Sequence, residues 1–253
     1  MHAFVICWTG WEDASRRIAA ALDGHVDFLT VIYSNRDARA ESGPGEWIQV
    51  PDDWFYGRKF SESLDRNSSR IMLQITADAH SEDWPGLIRR CRDVHRRHGN
   101  MGVWAPDIDH TDWSTEIVRM GNLEEPDLLI VSQTDSIVWS LSGMTLDRMR
   151  ELDYASNNFG WGIDWFAISH AMANRQLVVR DLAVKCLHPK GTAYDADEAE
   201  KQMHAFLSRM SAEETHHFEE LWAYTSRRIP GMHQKGLGAF LRKCGRRLHC
   251  TGV

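Results

Sequence analysis

A chain of 253 residues with 43% hydrophobic and 26% charged residues is long enough to bury the core of one large α/β domain, and its composition excludes long disordered tracts. The net charge of −7 disfavours non-specific binding of nucleic acid by the whole surface. Five widely spaced cysteines without a Cys-x-x-Cys pair argue against a disulfide framework and a zinc site, and they favour a reducing compartment.

The chain opens with the pattern of a βαβ unit. Apolar runs at 4–8 and 28–33 predict strands on either side of a helix at 12–22. Thr9-Gly10 follows the first strand and Ser34-Asn35 follows the second. Because ligands of open α/β sheets bind where strands end, these four residues are candidates for a nucleotide site, although each is also an ordinary turn residue. Neither a Gly-x-Gly-x-x-Gly fingerprint nor a Walker A sequence occurs.

A polar loop rich in aromatic residues is predicted between a short strand at 47–50 and a helix at 60–64. Tyr56 offers a ring that can stack on a base, and Arg58 and Lys59 offer cations for a diphosphate. A solvated, charged turn explains the same residues equally well.

The stretch from Arg70 to His80 is an apolar run of strand length that ends in Asp78-Ala-His80. Residues two apart in a strand point to the same side, so a carboxylate and an imidazole are expected to project together from its carboxyl end. Oxygen and nitrogen ligands at a strand end suit a divalent cation that also takes up a diphosphate. Alternatively, Asp78 and His80 are ordinary turn residues after the strand.

A glycine-rich motif, Asn157-Asn-Phe-Gly-Trp-Gly-Ile-Asp164-Trp165, comes later in the chain. Its glycines allow the backbone to approach a ligand closely. Asp164 lies at the start of a helix predicted to continue through 166–173, where an N-cap carboxylate is the alternative interpretation. The remaining patterns predict helices at 84–98 and 146–152, and strands at 102–106, 127–132, 136–140 and 177–187, the last of which delivers His188.

The C-terminal part is predicted to be helical from 195 to 226, with a capping-box sequence that begins at Ser211. From Arg227 onward there are seven lysines and arginines and no acidic residue. The positive charge of residues 227–249 therefore predicts a contact with an anionic surface, either nucleic acid or membrane. No basic leader, cleavage site or apolar stretch of spanning length is found, which favours a cytoplasmic protein without a transmembrane segment.

In this order, the motifs resemble those of the GT-A-fold glycosyltransferases, which use nucleotide sugars. Asp78-Ala-His80 stands where that family has Asp-x-Asp, and the glycine-rich motif is similar to the Asn-Asn-x-Gly-Trp-Gly-Gly-Glu-Asp stretch of the β-1,4-galactosyltransferases. The resemblance implies an α/β fold with a Rossmann-type mixed sheet over residues 1–194, and it leaves 195–253 as a C-terminal helical extension with a basic tail. Two departures are the histidine in the metal motif and the single carboxylate of Asp164.

The resemblance also implies a mechanism and the residues for it. A sugar would pass from a nucleoside-diphosphate donor to an acceptor hydroxyl in one inverting displacement, assisted by Mn2+ or Mg2+. The acceptor stays open between a glycan, a lipid-linked sugar and a hydroxylated base of DNA. The implied roles are a catalytic base (Asp164), metal ligands (Asp78, His80, His188), donor-binding residues (Thr9, Gly10, Ser34, Asn35, Tyr56, Arg58, Lys59) and acceptor-binding residues (Trp161, Gly162, Trp165).

Two alternatives from other classes stay open at this point. A nucleotidyltransferase shares the α/β architecture, but it calls for a Gly-rich loop with a basic residue after the first strand, and Thr9-Gly-Trp-Glu12 does not supply one. A non-catalytic binding module would leave Asp78, His80 and His188 apart in space.

Overall fold

One mixed sheet of nine strands runs through the part of the chain that the computed structural model describes, residues 1–37, 39–109, 111, 113–189 and 195–229. The strands are β1 (His2–Cys7), β2 (Phe28–Tyr33), β3 (Glu46–Gln49), β4 (Ile71–Thr76), β5 (Met101–Ile108), β6 (Arg119–Asn122), β7 (Leu128–Val131), β8 (Val138–Ser142) and β9 (Leu177–Cys186). The helices are α1 (Glu12–Leu22), α2 (Tyr56–Arg66), α3 (Trp84–Arg97), α4 (Thr115–Val118), α5 (Gly143–Arg150), α6 (Ile163–Ala173), α7 (Ala196–Leu207) and α8 (Ala212–Ser226).

The order of the strands is β3-β2-β1-β4-β8-β5-β9-β7-β6. Strands β1 to β4 pair in parallel, and β5 pairs in parallel with β9. Strand β8 lies antiparallel between β4 and β5, and β7 lies antiparallel beside β9. The carboxyl ends of β1, β2, β4, β5 and β9 therefore open on one edge of the sheet, where ligands of such sheets bind.

Apolar side chains of the buried strands alternate between two helical layers, as the two-residue period of a strand requires. In β1, Phe4 and Ile6 face one layer, whereas Val5 and Cys7 face the other. Helices α1 and α3 form the layer on the side of Val5. Helices α2, α5, α6, α7 and α8 pack on the side of Phe4, and they contribute Phe60, Leu146, Phe166, Phe206 and Leu221 to the core.

The C-terminal helices dock on the same core as the sheet. Ser211 and Glu214 form the predicted capping box, in which the Ser211 hydroxyl accepts from the Glu214 backbone N–H and the Glu214 carboxylate accepts from the Ser211 N–H. Glu214 also pairs with Arg148 of α5 at 2.9 Å and with His170 of α6 at 2.7 Å. One buried carboxylate thus joins three helices.

The start of α2 differs from the prediction. Tyr56, Arg58 and Lys59, expected in a loop before residue 60, lie in the first turn of this helix. The Phe55 N-cap makes no side-chain capping bond. Instead, Asn158 accepts hydrogen bonds from the backbone N–H groups of Phe55 and Gly57, each at 2.9 Å. A residue distant in sequence supplies the cap, so local sequence patterns do not indicate where the helix begins.

Other differences are small. The strand expected at 136–140 lies at β8, the helix expected from 146 begins at Gly143, and the short α4 and β6 were not predicted. The basic segment from 230 onward lies outside the described residues. Among the helices that are described, none combines the length and the apolar character needed to cross a bilayer.

Candidate active site

Asp78 and His188 meet at the carboxyl edge of the sheet. The segments that follow β4 and β9 are joined by a backbone bridge, in which His80 and Leu187 exchange N–H···O bonds of 2.9 and 2.8 Å. This bridge places the Nε2 atom of His188 at 3.3 Å from the Oδ2 atom of Asp78. The backbone N–H of His188 also donates to the Asp109 carboxylate at 2.9 Å. Two of the three predicted metal ligands are therefore adjacent.

The Asp78 carboxylate is ionised in this setting. Burial acts to raise the pKa of Asp78, but the polar contacts with His188 and Thr76 together outweigh it, so the pKa lies below its ordinary value. The Oδ1 atom is buried and, like the nearby Thr76 hydroxyl, makes no hydrogen bond of ordinary length and angle within the described residues. A buried carboxylate oxygen without a partner is costly unless a ligand satisfies it.

These two side chains suit a divalent metal ion. A carboxylate oxygen and an imidazole nitrogen are ligands that Mn2+ accepts, and Mg2+ commonly binds through one or two carboxylates together with substrate phosphates. The unpartnered Oδ1 atom of Asp78 is the observation that supports the fit. The side chain of His80 is exposed, and no group of three or more His, Cys, Asp or Glu side chains in the described ranges is placed to share an ion. The structure therefore does not bring His80 together with the other two predicted ligands.

Lys59 connects the ends of β1 and β2. Its side chain is fully buried, and the Nζ atom donates to the carbonyl oxygen of Cys7 at 2.6 Å and to the Ser34 hydroxyl at 2.8 Å. The ammonium group also lies 5.3 Å from the centroid of the Trp8 ring. Burial lowers the pKa of Lys59 to about 8. Lys59 thus lies beneath the predicted nucleotide site, and it has no exposed charge to offer a diphosphate.

The other predicted donor-binding residues surround the same strand ends. The Thr9 hydroxyl donates to the Asp52 carboxylate at 2.6 Å, and the Asn35 amide donates to Glu41 at 3.3 Å. The Gly10 N–H donates to Glu12 at 2.9 Å. Asp52, which follows β3, is therefore a further candidate at these strand ends, and it was not among the predicted site residues.

Arg58 points away from this group. Its guanidinium donates to the carbonyl oxygen of Ala155 at 3.4 Å and lies 5.8 Å from the centroid of the Trp54 ring. Successive residues of a helix point about 100° apart, so Arg58 and Lys59 cannot serve one ligand from the same face of α2. The two cations predicted to act together are separated.

The glycine-rich loop at 157–162 packs directly against the start of α2. A Cβ atom on Gly57 would overlap the carbonyl oxygen of Asn157, and one on Gly160 would overlap the ring of Tyr56. Gly160 also has φ +80°, a conformation that glycine adopts without strain. The glycines thus serve the approach of two backbone segments, which fixes the loop that leads into Asp164.

Asp164 lies in the first turn of α6 and is partly buried. Its Oδ2 atom accepts from Gln133 Nε2 at 2.9 Å, and its Oδ1 atom accepts from the Trp165 N–H at 2.8 Å. Burial raises the pKa of Asp164 to about 7, with a further upward contribution from Asp135. A carboxylate with this pKa is a candidate general base at neutral pH.

Tyr56 connects Asp164 with the inner face of β4. The Tyr56 hydroxyl lies 3.0 Å from the side-chain oxygen of Gln74 and 3.0 Å from the Ser136 carbonyl oxygen. The negative charge of Asp164 contributes to the raised pKa of Tyr56, so the two side chains are close. Gln74 shares its face of β4 with Thr76, and the next residue at this spacing is Asp78. Tyr56 is thus a partly buried link between these groups, with its hydroxyl already bonded to protein atoms.

Two of the three predicted acceptor-binding residues are buried in the core. Trp165 is 2% exposed and packs edge-on against Trp113, Phe218 and Trp222, with ring centroids 5.5–5.7 Å apart. Gly162 is the N-cap of α6 and faces α7, where an added Cβ would lie 2.9 Å from Met203 Cγ. Neither position offers a surface to an acceptor in this structure, because both face the C-terminal helices. Trp161 is partly exposed and remains the candidate.

Comparison with solved structures shows that this architecture is the GT-A fold of nucleotide-sugar glycosyltransferases. The structure of S. aureus TarS in complex with UDP-GlcNAc matches 93% of this chain and 75% of that chain, with a TM-score of 0.59 and 12% sequence identity. The structure of GalNAc-T7 with UDP, GalNAc and Mn2+ matches 99% of this chain and 54% of that chain, with a TM-score of 0.63 and 10% identity. The expected fold class is therefore confirmed.

No protein-family model matches the sequence, and no curated protein matches it. Sequence identities of 10–12% establish a shared fold and not a shared activity.

Proposed function

We propose that this protein is a metal-dependent, inverting glycosyltransferase that moves a sugar from a nucleoside-diphosphate donor to an acceptor hydroxyl. The observation that carries the proposal is the pairing of Asp78 with His188 beside an unpartnered carboxylate oxygen. This pair lies at the strand ends of a GT-A fold, where ligands of such sheets bind. Two structures with this fold contain UDP, and one of them also contains Mn2+.

Asp78 and His188 would hold the Mn2+ or Mg2+ ion, which when bound neutralises charge on the departing diphosphate. Thr9, Gly10 and Asn35 would receive the nucleoside at the ends of β1 and β2. Ser34, also predicted to bind the donor, is buried; its hydroxyl accepts from Lys59 Nζ and so would support this edge of the sheet from below.

Asp164 would act as the general base. Its two hydrogen bonds leave further lone pairs on a carboxylate that can accept the proton of the attacking acceptor hydroxyl. The hydroxyl oxygen then forms the new bond to the anomeric carbon as the bond to the diphosphate breaks. A single base opposite the leaving group gives inversion of configuration, and Trp161 would border the acceptor.

The acceptor is proposed only as a class of hydroxyl compound: a glycan, a lipid-linked sugar or a hydroxylated base of DNA. The basic segment at 227–249 would supply affinity for an anionic surface in the last two cases. Binding to DNA and to anionic vesicles, each measured across a salt series, distinguishes them.

Calorimetry with UDP, GDP, ADP and CDP, with and without Mn2+, tests the proposal. We expect one diphosphate to bind only when the metal is present, and we expect Asp78→Ala and His188→Ala to remove that metal dependence. Asp147→Ala is a matched control, because its carboxylate is 73% exposed and pairs only with Arg150 among the described residues. Binding that is indifferent to metal would contradict the proposal.

A further inference from the structure

The loop after β7 contains a buried glutamine whose contacts fix its orientation. Gln133 is fully buried, and its side-chain oxygen accepts from the Thr134 N–H at 2.9 Å. Its Nε2 atom donates to Asp164 Oδ2 at 2.9 Å. Because an amide oxygen only accepts and an amide nitrogen only donates, the bond to Thr134 forces the nitrogen toward Asp164. The amide therefore presents a donor, and never an acceptor, to the carboxylate.

The backbone that carries Gln133 is anchored through the preceding residue, Ser132. The Ser132 N–H donates to the Val118 carbonyl oxygen at 2.8 Å, and the Ser132 hydroxyl lies 2.7 Å from the hydroxyl of Thr225 in α8. Ser132, Gln133 and Thr134 are each at most 2% exposed. The amide donor is thus already in place before any substrate binds, which is the arrangement that favours catalysis.

We propose that Gln133 is the positioning residue for Asp164: it turns the carboxylate, favours its charged form, and leaves its remaining lone pairs for the acceptor hydroxyl. The inference rests on the proposed function in naming Asp164 the base. Gln133 itself touches no reacting atom. It acts through a hydrogen bond that stabilises the charged form of its neighbour.

The balance of charges around Asp164 explains why such a donor is needed. Asp135 in the same loop and Tyr56 in α2 are ionisable groups close to Asp164, and neither brings positive charge. Burial and the Asp135 carboxylate both raise the pKa of Asp164, whereas the Trp165 N–H and the Gln133 amide lower it. At a pKa of about 7 the base is half ionised at neutral pH. Loss of the amide donor would shift this balance toward the protonated form.

The test follows the titration of Asp164 by NMR in protein labelled at the aspartate carboxyl carbons, with Asp164→Asn to assign the resonance. We expect Gln133→Leu to raise the titration midpoint by about 1 pH unit, since a hydrogen bond to a charged group is of that size. Gln176→Leu is the matched control. Gln176 is also buried, and its side-chain oxygen accepts from the Thr145 hydroxyl at 2.8 Å, a partner other than Asp164. A Gln133→Leu midpoint equal to that of the wild type would overturn the inference.

Gln133→Asn keeps the buried amide but shortens it by one methylene, so it serves as the second variant if the leucine variant does not fold. The same upward shift is expected, and its absence counts equally against the proposal. Where a donor and acceptor give turnover, the acid limb of the rate–pH profile should move with the NMR midpoint in both variants. If the acid limb of the rate–pH profile does not move, the role of Gln133 is overturned and the proposed function stays intact. Absence of transfer by the wild type with every donor would refute the proposed function, and the NMR shift would still show whether Gln133 holds the carboxylate.

Discussion

Burial changes two charged side chains near the cleft in opposite directions. It lowers the pKa of Lys59 to about 8 and raises that of Asp164 to about 7. In both cases the charged form is disfavoured because water is excluded. For Lys59 the result is a penalty on folding near neutral pH, and for Asp164 it is a base that changes its charge in the physiological range.

The Lys59 penalty gives a stability prediction. The ordinary pKa of 10.5 falls to about 8 in the folded state, so the unfolded chain binds more protons between these values. The penalty is fully present below pH 8 and disappears above pH 10.5, and stability therefore rises with pH across this window. The unfolding free energy of the wild type minus that of Lys59→Met should increase by up to about 3 kcal/mol from pH 8 to 10.5. Urea unfolding of both proteins at several pH values measures this difference in unfolding free energy. A difference that stays constant with pH would contradict the prediction.

The Asp164 pKa gives an activity prediction. A general base works only when deprotonated, so the rate should rise with pH through about 7 and then level off. Asp164→Asn should retain donor binding by calorimetry and lose turnover by at least about 100-fold, the usual range for a lost base. Asp135→Asn removes a neighbouring negative charge and should move the midpoint to lower pH. Wild-type turnover in Asp164→Asn would assign the base elsewhere.

At the scale of residues, the sequence indicated the side chains that carry recognisable motifs. Asp78 and His188 were predicted from their places at strand ends and from the family resemblance, and the structure brings them together. Gln133 was missed, and Asp109 was not linked to His188, because hydrogen bonds to residues distant in sequence leave no local pattern. Trp165 was predicted at the acceptor site, but it lies in the core. Its position beside the motif does not show which side of the helix faces the core.

At the scale of elements, the contact between α2 and the glycine-rich loop organises the site. The loop caps α2 through Asn158, and the start of α2 in turn presents Tyr56 and Lys59. Apolar periodicity predicted most helices and strands within a few residues. It could not predict the beginning of α2, because that boundary depends on the distant loop and not on the residues of the helix.

Gly57→Ala tests this contact. Alanine is ordinarily favoured over glycine in a helix, but its Cβ would overlap the carbonyl oxygen of Asn157, and a backbone atom cannot move aside alone. We expect a loss of about 1–3 kcal/mol in unfolding free energy and reduced turnover, since the loop leads into Asp164. Gly99→Ala is the control, because nothing lies within 4 Å of an added Cβ there. Equal stability of the two variants by thermal or urea unfolding would show that the packing is not tight.

At the scale of the whole molecule, the C-terminal helices complete the core on the side of the sheet that Phe4 faces. Trp165 packs against Phe218 and Trp222 of α8, and Thr225 of the same helix bonds to Ser132. The loop that holds Gln133 is therefore braced by a helix for which the family resemblance gave no role. Although residues 195–253 were predicted as an extension, the part that is described packs into the same core as the sheet.

The charge of the molecule is divided between an acidic body and a basic end. Seven lysines and arginines lie after Ser226 with no acidic residue, so residues 1–226 carry a net charge of −14 although the whole chain carries −7. The body should repel an anionic surface, and the segment at 227–249 should attract one. Any binding to such a surface must then depend on this segment alone and must weaken steeply with salt.

Truncation after Ile229 tests this division, because it removes five of the seven cations and leaves every described residue in place. We expect the truncated protein to bind nucleoside diphosphate with Mn2+ as the full chain does. Its affinity for anionic vesicles or for DNA should fall by at least about tenfold at low salt, since each lysine or arginine near such a surface contributes about 1 kcal/mol. A full-length variant with those five cations changed to glutamine separates charge from chain length. If that variant keeps its affinity, the apolar residues of the segment and not its charge make the contact. If the truncated protein itself keeps the affinity, the anionic surface is bound by the acidic body, and the division of charge has no part in choosing the acceptor.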